Sequence, residues 1–142
     1  MFVVGCNNQN IIKEQSSLSE KKIEGDSELQ EQCVKRSEEY FNREYGNGIL
    51  NNGRRTVTYE SHYNKKLNKC FILITSKKLI RNTENKIESI RLKKLLDCNE
   101  NWEYGSLIQF ENNNKRINCR ILEKYCNSEK EWDLLVKPYR ED

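Results

Sequence analysis

Six cysteines carry most of the reactive chemistry in this chain of 142 residues: Cys6, Cys33, Cys70, Cys98, Cys119 and Cys126. A thiol can act as nucleophile, metal ligand or half of a disulfide. No two form a C-x-x-C pair, so the common zinc and thioredoxin spacings are absent. Six thiols in a short, core-poor chain suit a disulfide framework made in an oxidising compartment. The alternative is a cytosolic protein with free buried thiols.

The chain has one histidine, His62, in Ser61-His62-Tyr63-Asn64. A serine-type triad would have to use it. A Cys-His dyad would need a thiol beside it, and Cys70 is expected on the opposite face. His62 therefore reads as a strand-end histidine near a hairpin turn. Acid pairs such as Glu38-Glu39 and Glu141-Asp142 lie in no apolar stretch that would raise a pKa. No P-loop and no G-x-G-x-x-G occurs, and Gly46-x-Gly48 follows a helix pattern, as a turn would. The expectation is a chain with no catalytic residue, no metal site and no cofactor.

These residues must be positioned by regular elements. From Glu28 to Tyr45, Leu29, Cys33, Tyr40, Phe41 and Tyr45 share one helical face, after a capping box at Ser27-x-x-Gln30 and before a stop at Gly46. Thr56 to Tyr63 alternates, with Val57, Tyr59 and Tyr63 on one side and Thr58, Glu60 and His62 on the other. Asn68 to Thr75 is rich in β-formers. A turn near Lys65-Lys66 would pair Tyr59 with Ile72, Val57 with Ile74 and Ser61 with Cys70. Lys77 to Lys86 reads as a polar loop. Further strands are expected over Glu88–Cys98, over Trp102–Phe110 with Trp102, Tyr104, Ile108 and Phe110 in phase, and around Ile117, Cys119 and Ile121. A second helix follows the capping box Ser128-x-x-Glu131, presents Trp132, Leu135 and Val136, and ends at Pro138. The fold class is α+β: an antiparallel sheet of about four to five strands, with an N-terminal and a C-terminal helix packed on one face.

This arrangement places Cys33 on the buried stripe of the first helix and Cys70 on the core face of the sheet. A Cys33–Cys70 bridge would close about 38 residues. A Cys119–Cys126 bridge would join a strand to the start of the second helix. Five cysteines follow Cys6, an odd number, so one stays free or pairs between chains. Cys98 is the residue left over, although it could replace any of these partners. If one face of the sheet is uncovered, Glu60, His62, Lys69, Phe71 and Leu73 lie on it and form the candidate binding surface. The aromatic residues Tyr59, Tyr63, Phe71, Trp102, Tyr104 and Phe110 read as core and cross-strand pairs rather than a platform for stacked bases.

Charge narrows the partners. Lys and Arg total 25 against 22 Asp and Glu, a net +3. The signs are interspersed and the pI is about 8.5, which does not suit a nucleic-acid domain. Charged residues make up 33% of the chain and there is no alanine, which excludes an alanine-rich bundle. Mean hydropathy is -0.96, and no apolar run approaches the ~20 residues of a membrane-spanning helix.

Residues Val3-Val4-Gly5-Cys6 resemble the lipobox of bacterial lipoproteins. The resemblance implies that Cys6 carries lipid on its sulfur and amino group and tethers the chain to a membrane. Only five residues precede Cys6, so an export signal would require a start further upstream. Residues 1–6 are thus expected to be a remnant of a lipoprotein signal, 7–25 a flexible polar linker, and 26–142 a single α+β domain.

Two longer stretches are similar to a group of uncharacterised bacterial exported or lipoprotein-type proteins. One is Tyr59-Glu-Ser-His-Tyr-Asn-Lys-Lys-Leu-Asn-Lys-Cys-Phe-Ile-Leu-Ile74. The other is Cys119, then Cys126-Asn-Ser-Glu-Lys-Glu-Trp-Asp-Leu-Leu135, with Tyr139 beyond it. This resemblance implies a small exported domain with paired cysteines and no particular activity. The expected role is a non-enzymatic binding or structural module of the bacterial cell envelope. Its partners would be the membrane, through Cys6, and an unidentified protein. The alternative is a soluble protein-binding module of inhibitor or immunity type with free thiols.

Overall fold

A computed structural model describes residues 8–111 and 116–142, with backbone alone up to residue 24. Cys6 and the Asn112-Asn113-Asn114 turn lie outside the described residues. The elements are α1 (Asn8–Tyr45), β1 (Ile49–Leu50), β2 (Arg55–Asn64), β3 (Lys69–Arg81), β4 (Ile87–Asp97), β5 (Trp102–Glu111), β6 (Ile117–Ile121), β7 (Lys124–Cys126) and α2 (Glu129–Arg140). The strands form one sheet of seven in sequence order, every neighbouring pair antiparallel. The sheet is therefore larger than the four or five strands expected. The additional strands β1 and β7 are two and three residues long, too short to show a period.

The two helices do not share a face. Phe41 of α1 packs on Val57, Ile72, Ile74 and Leu96. Trp132 and Val136 of α2 pack on Phe71, Leu73, Leu95, Leu107, Cys119 and Ile121. Phe71 and Ile72 are consecutive, and side chains alternate across a strand, so α1 and α2 cover opposite faces. The unbroken run Cys70-Phe71-Ile72-Leu73-Ile74 is buried throughout. A continuous apolar run of that kind belongs to a strand sandwiched on both sides.

Register departs from expectation by two residues. Tyr59 lies opposite Ile74, Ser61 opposite Ile72 and Tyr63 opposite Cys70. Moving the turn by one residue moves the pairing by two, which preserves the faces. Asn68 takes a left-handed φ of 50° in this turn. The segment read as a polar loop, from Lys77, instead continues β3 to Arg81, because β4 pairs along it as far as Arg81 opposite Ile87.

Helix α1 begins at Asn8, so residues 8–25, read as a flexible linker, carry helical backbone. Ser27 and Gln30 therefore lie within the helix rather than at its start, and the Gln30 side chain accepts a hydrogen bond from the Tyr63 backbone N–H at 3.0 Å. The face that α1 buries is Cys33, Ser37 and Phe41, spaced by four. The Gly46 N–H closes the helix on the Asn42 carbonyl at 3.0 Å. Among the described residues no helix is long and apolar enough to cross a membrane.

Helix α2 starts as its sequence predicts. Ser128 accepts from the Glu131 N–H at 3.1 Å, and Glu131 accepts from the Asn127 N–H at 2.7 Å. Pro138 does not end the helix, which runs on to Arg140. The carbonyl that a proline deprives of its partner is that of residue i−4, here Leu134, whose residue is exposed and open to water.

Candidate functional site

A cleft of about 770 Å³ lies between the start of β5, the β6–β7 turn and the outer side of α2. A β-bulge builds one wall. Leu95 pairs with Gly105 but Leu96 pairs with Glu103, so Tyr104 has no partner of its own. The bulge reverses the phase of β5. Trp102 and Tyr104 turn towards α2, while Ile108 and Phe110, opposite Leu92 and Ile90, lie on the α1 face. The four do not share one face as their spacing suggested, because a bulge leaves no mark on hydrophobic alternation.

Aromatic contacts fix this wall. Tyr104 lies 5.1 Å from Phe71, 5.4 Å from Tyr139 and 4.9 Å from Trp102, ring centre to ring centre. Burial raises the Tyr139 phenol above its ordinary pKa, and neighbouring Tyr104 adds to the effect. Gly105 is required next to the bulge, since a Cβ there would collide with the Arg120 carbonyl oxygen and the Ile121 side chain.

Leu122 forms the opposite lip. Among the described residues six non-glycine residues have positive φ; five are asparagines and the sixth is Leu122, at 51°. Asparagine tolerates this region, whereas leucine is strained there. The turn is held in place by the Leu122 N–H donating to the Tyr104 carbonyl at 2.7 Å. It is also held by the Cys119–Cys126 disulfide, whose Cα atoms are 5.0 Å apart. Trp102, Leu122 and Leu134, all exposed large apolar residues, surround the opening. Glu103, Arg120, Glu123 and Lys124 add both signs of charge to its lining. The result is an apolar, aromatic cleft with a charged rim, suited to holding part of a ligand.

The residues expected to form a binding surface share the α2 face of the sheet, but that face is occupied. Phe71 and Leu73 are buried in the α2 core, so they are not available to a partner. Glu60 accepts from Arg140 at 2.6 Å, and His62 pairs with Asp142 at 2.8 Å. The His62 hydrogen bond holds the Asp142 carboxyl below its usual range, helped by the Lys65 N–H. Lys69 binds buried Asp97 at 3.0 Å, and this bond pushes its pKa up to about 12. The surface thus resolves into clamps that hold α2 and the β4–β5 turn. His62 has a carboxylate partner and no thiol or hydroxyl aligned on it among its described contacts.

The paired cysteines lie where the sequence put them. Cys33 and Cys70 form a disulfide between α1 and β3, and Cys119 and Cys126 form one between β6 and β7. Cys98 is free and half-buried. The cleft itself was not legible beforehand. Its signals were the strained Leu122 and the unpaired Tyr104, and both depend on pairing. Compared with known protein families, with curated proteins and with solved structures, the chain matches none.

Proposed function

We propose that this chain is a tethered, non-enzymatic binding module of the bacterial cell envelope, anchored through Cys6. The observation that carries this reading is the pair of disulfides, Cys33–Cys70 and Cys119–Cys126. Structural disulfides persist in oxidising compartments and are rare in the cytosol. The lipobox-like Val3-Val4-Gly5-Cys6 supplies the anchor. A thioether-linked lipid together with acyl chains gives the stable attachment that a single chain does not.

Helix α1 then acts as a stalk. Residues 8–25 carry helical backbone and span on the order of 25 Å at helical rise. They meet the domain at the β2–β3 turn, where Asp26 contacts Lys65 at 3.4 Å. The cleft at Trp102, Tyr104 and Leu122 is the binding element. It suits a partner group with an apolar or ring-shaped portion, which would cover the exposed Trp102 face.

The test is the intact mass of the protein from its own cells, alkylated without reductant. A lipid-sized increment on a chain starting at Cys6, with at most one alkylated thiol, is the expected result. An unmodified chain starting at Met1 with most cysteines alkylated overturns the proposal.

A further inference from the structure

The buried hydroxyl of Ser37 has sulfur atoms on two sides. Its Oγ lies 3.7 Å from Cys70 Sγ and donates to Cys98 Sγ at 3.9 Å. Ser37 is 0% exposed on a helix face that is otherwise apolar, and these sulfurs are the partners its side chain finds among the described residues. Burying a hydroxyl is costly unless it is hydrogen-bonded. Cys98 packs against the cluster of Cys33, Tyr63 and Cys70. Its backbone N–H donates to the Cys70 carbonyl at 2.9 Å. That bond continues the ladder one step past Phe71 opposite Asp97, so Cys70 and Cys98 are cross-strand neighbours. Opposed residues of a hydrogen-bonded antiparallel pair have Cα separations of ~5.5 Å, within the range that a disulfide bridges.

We propose that Cys98 is an exchange partner for the Cys33–Cys70 disulfide, giving the domain two native disulfide isomers. The Cys98 thiolate attacks Cys70 Sγ. The Cys70–Cys98 bond forms as the Cys33–Cys70 bond breaks, and Cys33 leaves as a thiolate that takes up the proton Cys98 gave. Nothing is oxidised or reduced overall. The covalent tie moves from helix–sheet to strand–strand, and α1 is left on noncovalent contacts such as Phe41 and Gln30. The two closed loops are similar in length, so chain entropy hardly separates the isomers, and the packing of α1 sets their ratio. Burial raises the Cys98 thiol pKa, and the Ser37 hydrogen bond opposes this by favouring the thiolate. The exchange is therefore slow without being blocked, and Ser37 is its positioning residue. The proposal does not depend on Cys6, and of the proposed function it requires only that the Cys33–Cys70 disulfide is formed.

The test uses the full chain with Cys6→Ser, so that Cys98 is the free thiol. Protein purified without reductant is held folded at mildly alkaline pH, quenched in acid, alkylated in denaturant at low pH and digested for mass spectrometry. A peptide joining Cys70 to Cys98 is expected beside the Cys33–Cys70 peptide. Alkylation should move from Cys98 to Cys33 one for one while Cys119–Cys126 stays intact. Ser37→Ala should slow the approach to this mixture severalfold. Cys33–Cys70 alone, with Cys98 fully alkylated at every time, overturns the proposal. In a second arm, Cys33→Ser in the same background is treated with oxidised glutathione, which is reduced as the bond forms. A closed Cys70–Cys98 bridge supports the geometry. Cys70 and Cys98 left as thiols or as separate glutathione adducts overturn it.

Discussion

Asn64 donates its side-chain amide to the Pro138 carbonyl at 2.9 Å and to the Tyr139 carbonyl at 3.3 Å. The last carbonyls of a helix have no partner within it. Here a buried side chain from the end of β2 supplies one for α2. The same residue turns the β2–β3 hairpin, accepting from the Leu67 N–H at 2.9 Å. Asn64 therefore ties the C-terminal helix to the turn where α1 reaches the sheet. Asn64→Ala leaves those carbonyls and the Leu67 N–H without this partner, at a cost of about 1–3 kcal/mol. Urea unfolding should show a lower midpoint with an unchanged slope. A midpoint equal to wild type would mean that water replaces the amide fully.

Leu122 makes an opposite prediction. A left-handed non-glycine residue costs ~1–2 kcal/mol, and asparagine bears it best. Leu122→Asn should thus raise stability by up to about 1 kcal/mol, after loss of some packing against the cleft. The thermal midpoint measures this. A drop in midpoint would show that the Leu122 side chain contributes more by packing than its backbone costs. A gain would mean that the leucine is kept at the expense of stability, as binding residues often are.

How much of this could be read from the sequence follows from what each residue can signal. Cys33 and Phe41 of the α1 stripe, the Ser128 cap and the faces of β2 follow from periodicity and spacing, which are local, while Leu29 of that stripe is exposed and the two disulfide pairs stood with Cys98 open as a replacement for any partner. Ser37 was invisible because a buried serine looks like a surface one until the sulfurs beside it are known. The polar end of β3 reads as a loop because Lys77 to Arg81 is held extended by pairing with β4, and with β2 at Lys77 and Lys78, rather than by its own residue types. The separation of the helices onto two faces was present in the run Cys70–Ile74, whose unbroken apolarity outweighs the alternation of its neighbour β2. Of the cleft, the aromatic residues were visible and their convergence was not, since one bulged residue, Tyr104, decides it.

Acid should destabilise the α2 face first. Lys93, hydrogen-bonded to Glu129 and close at 2.8 Å, holds the Glu129 carboxyl below its ordinary value, and Arg91 adds to this. A carboxyl with a lowered folded pKa stabilises fully above its unfolded value of 4.5, and that contribution is lost as pH falls through the folded value. Asp142, lowered by His62, acts in the same direction. Glu129→Gln should reduce stability at neutral pH and flatten the acid limb of the stability profile. Urea midpoints taken from neutral pH down through the carboxylate range check this. Parallel wild-type and variant curves would show that the Glu129 charge contributes nothing.

The two disulfides should differ in what their loss costs. Loop lengths set by separations of 37 and 7 residues imply the larger stabilisation for Cys33–Cys70. The chain-entropy model gives about 4 kcal/mol for it and about 2.5 kcal/mol for Cys119–Cys126. Cys119→Ser with Cys126→Ser should therefore leave a folded domain with a lowered thermal midpoint and a loosened Leu122 turn. Hydrogen exchange at the Leu122 amide, bonded to Tyr104, should rise in that variant more than exchange in β3. Equal increases in both would show that the bridge supports the whole sheet rather than the cleft.

The two tryptophans give the cleft its own reporter. Trp132 is 0% exposed and Trp102 is 53% exposed, so their emission should separate. Trp102→Phe should leave a blue-shifted signal that acrylamide quenches weakly, because Trp132 sits in the α2 core. The emission lost in that variant, taken as the wild-type difference, should be red-shifted and readily quenched. A partner that fills the cleft should shift and protect the Trp102 component and leave the Trp132 component unchanged, since only Trp102 lines the opening. A partner that binds without altering Trp102 emission would place its contact elsewhere on the domain and remove the cleft from the proposed function.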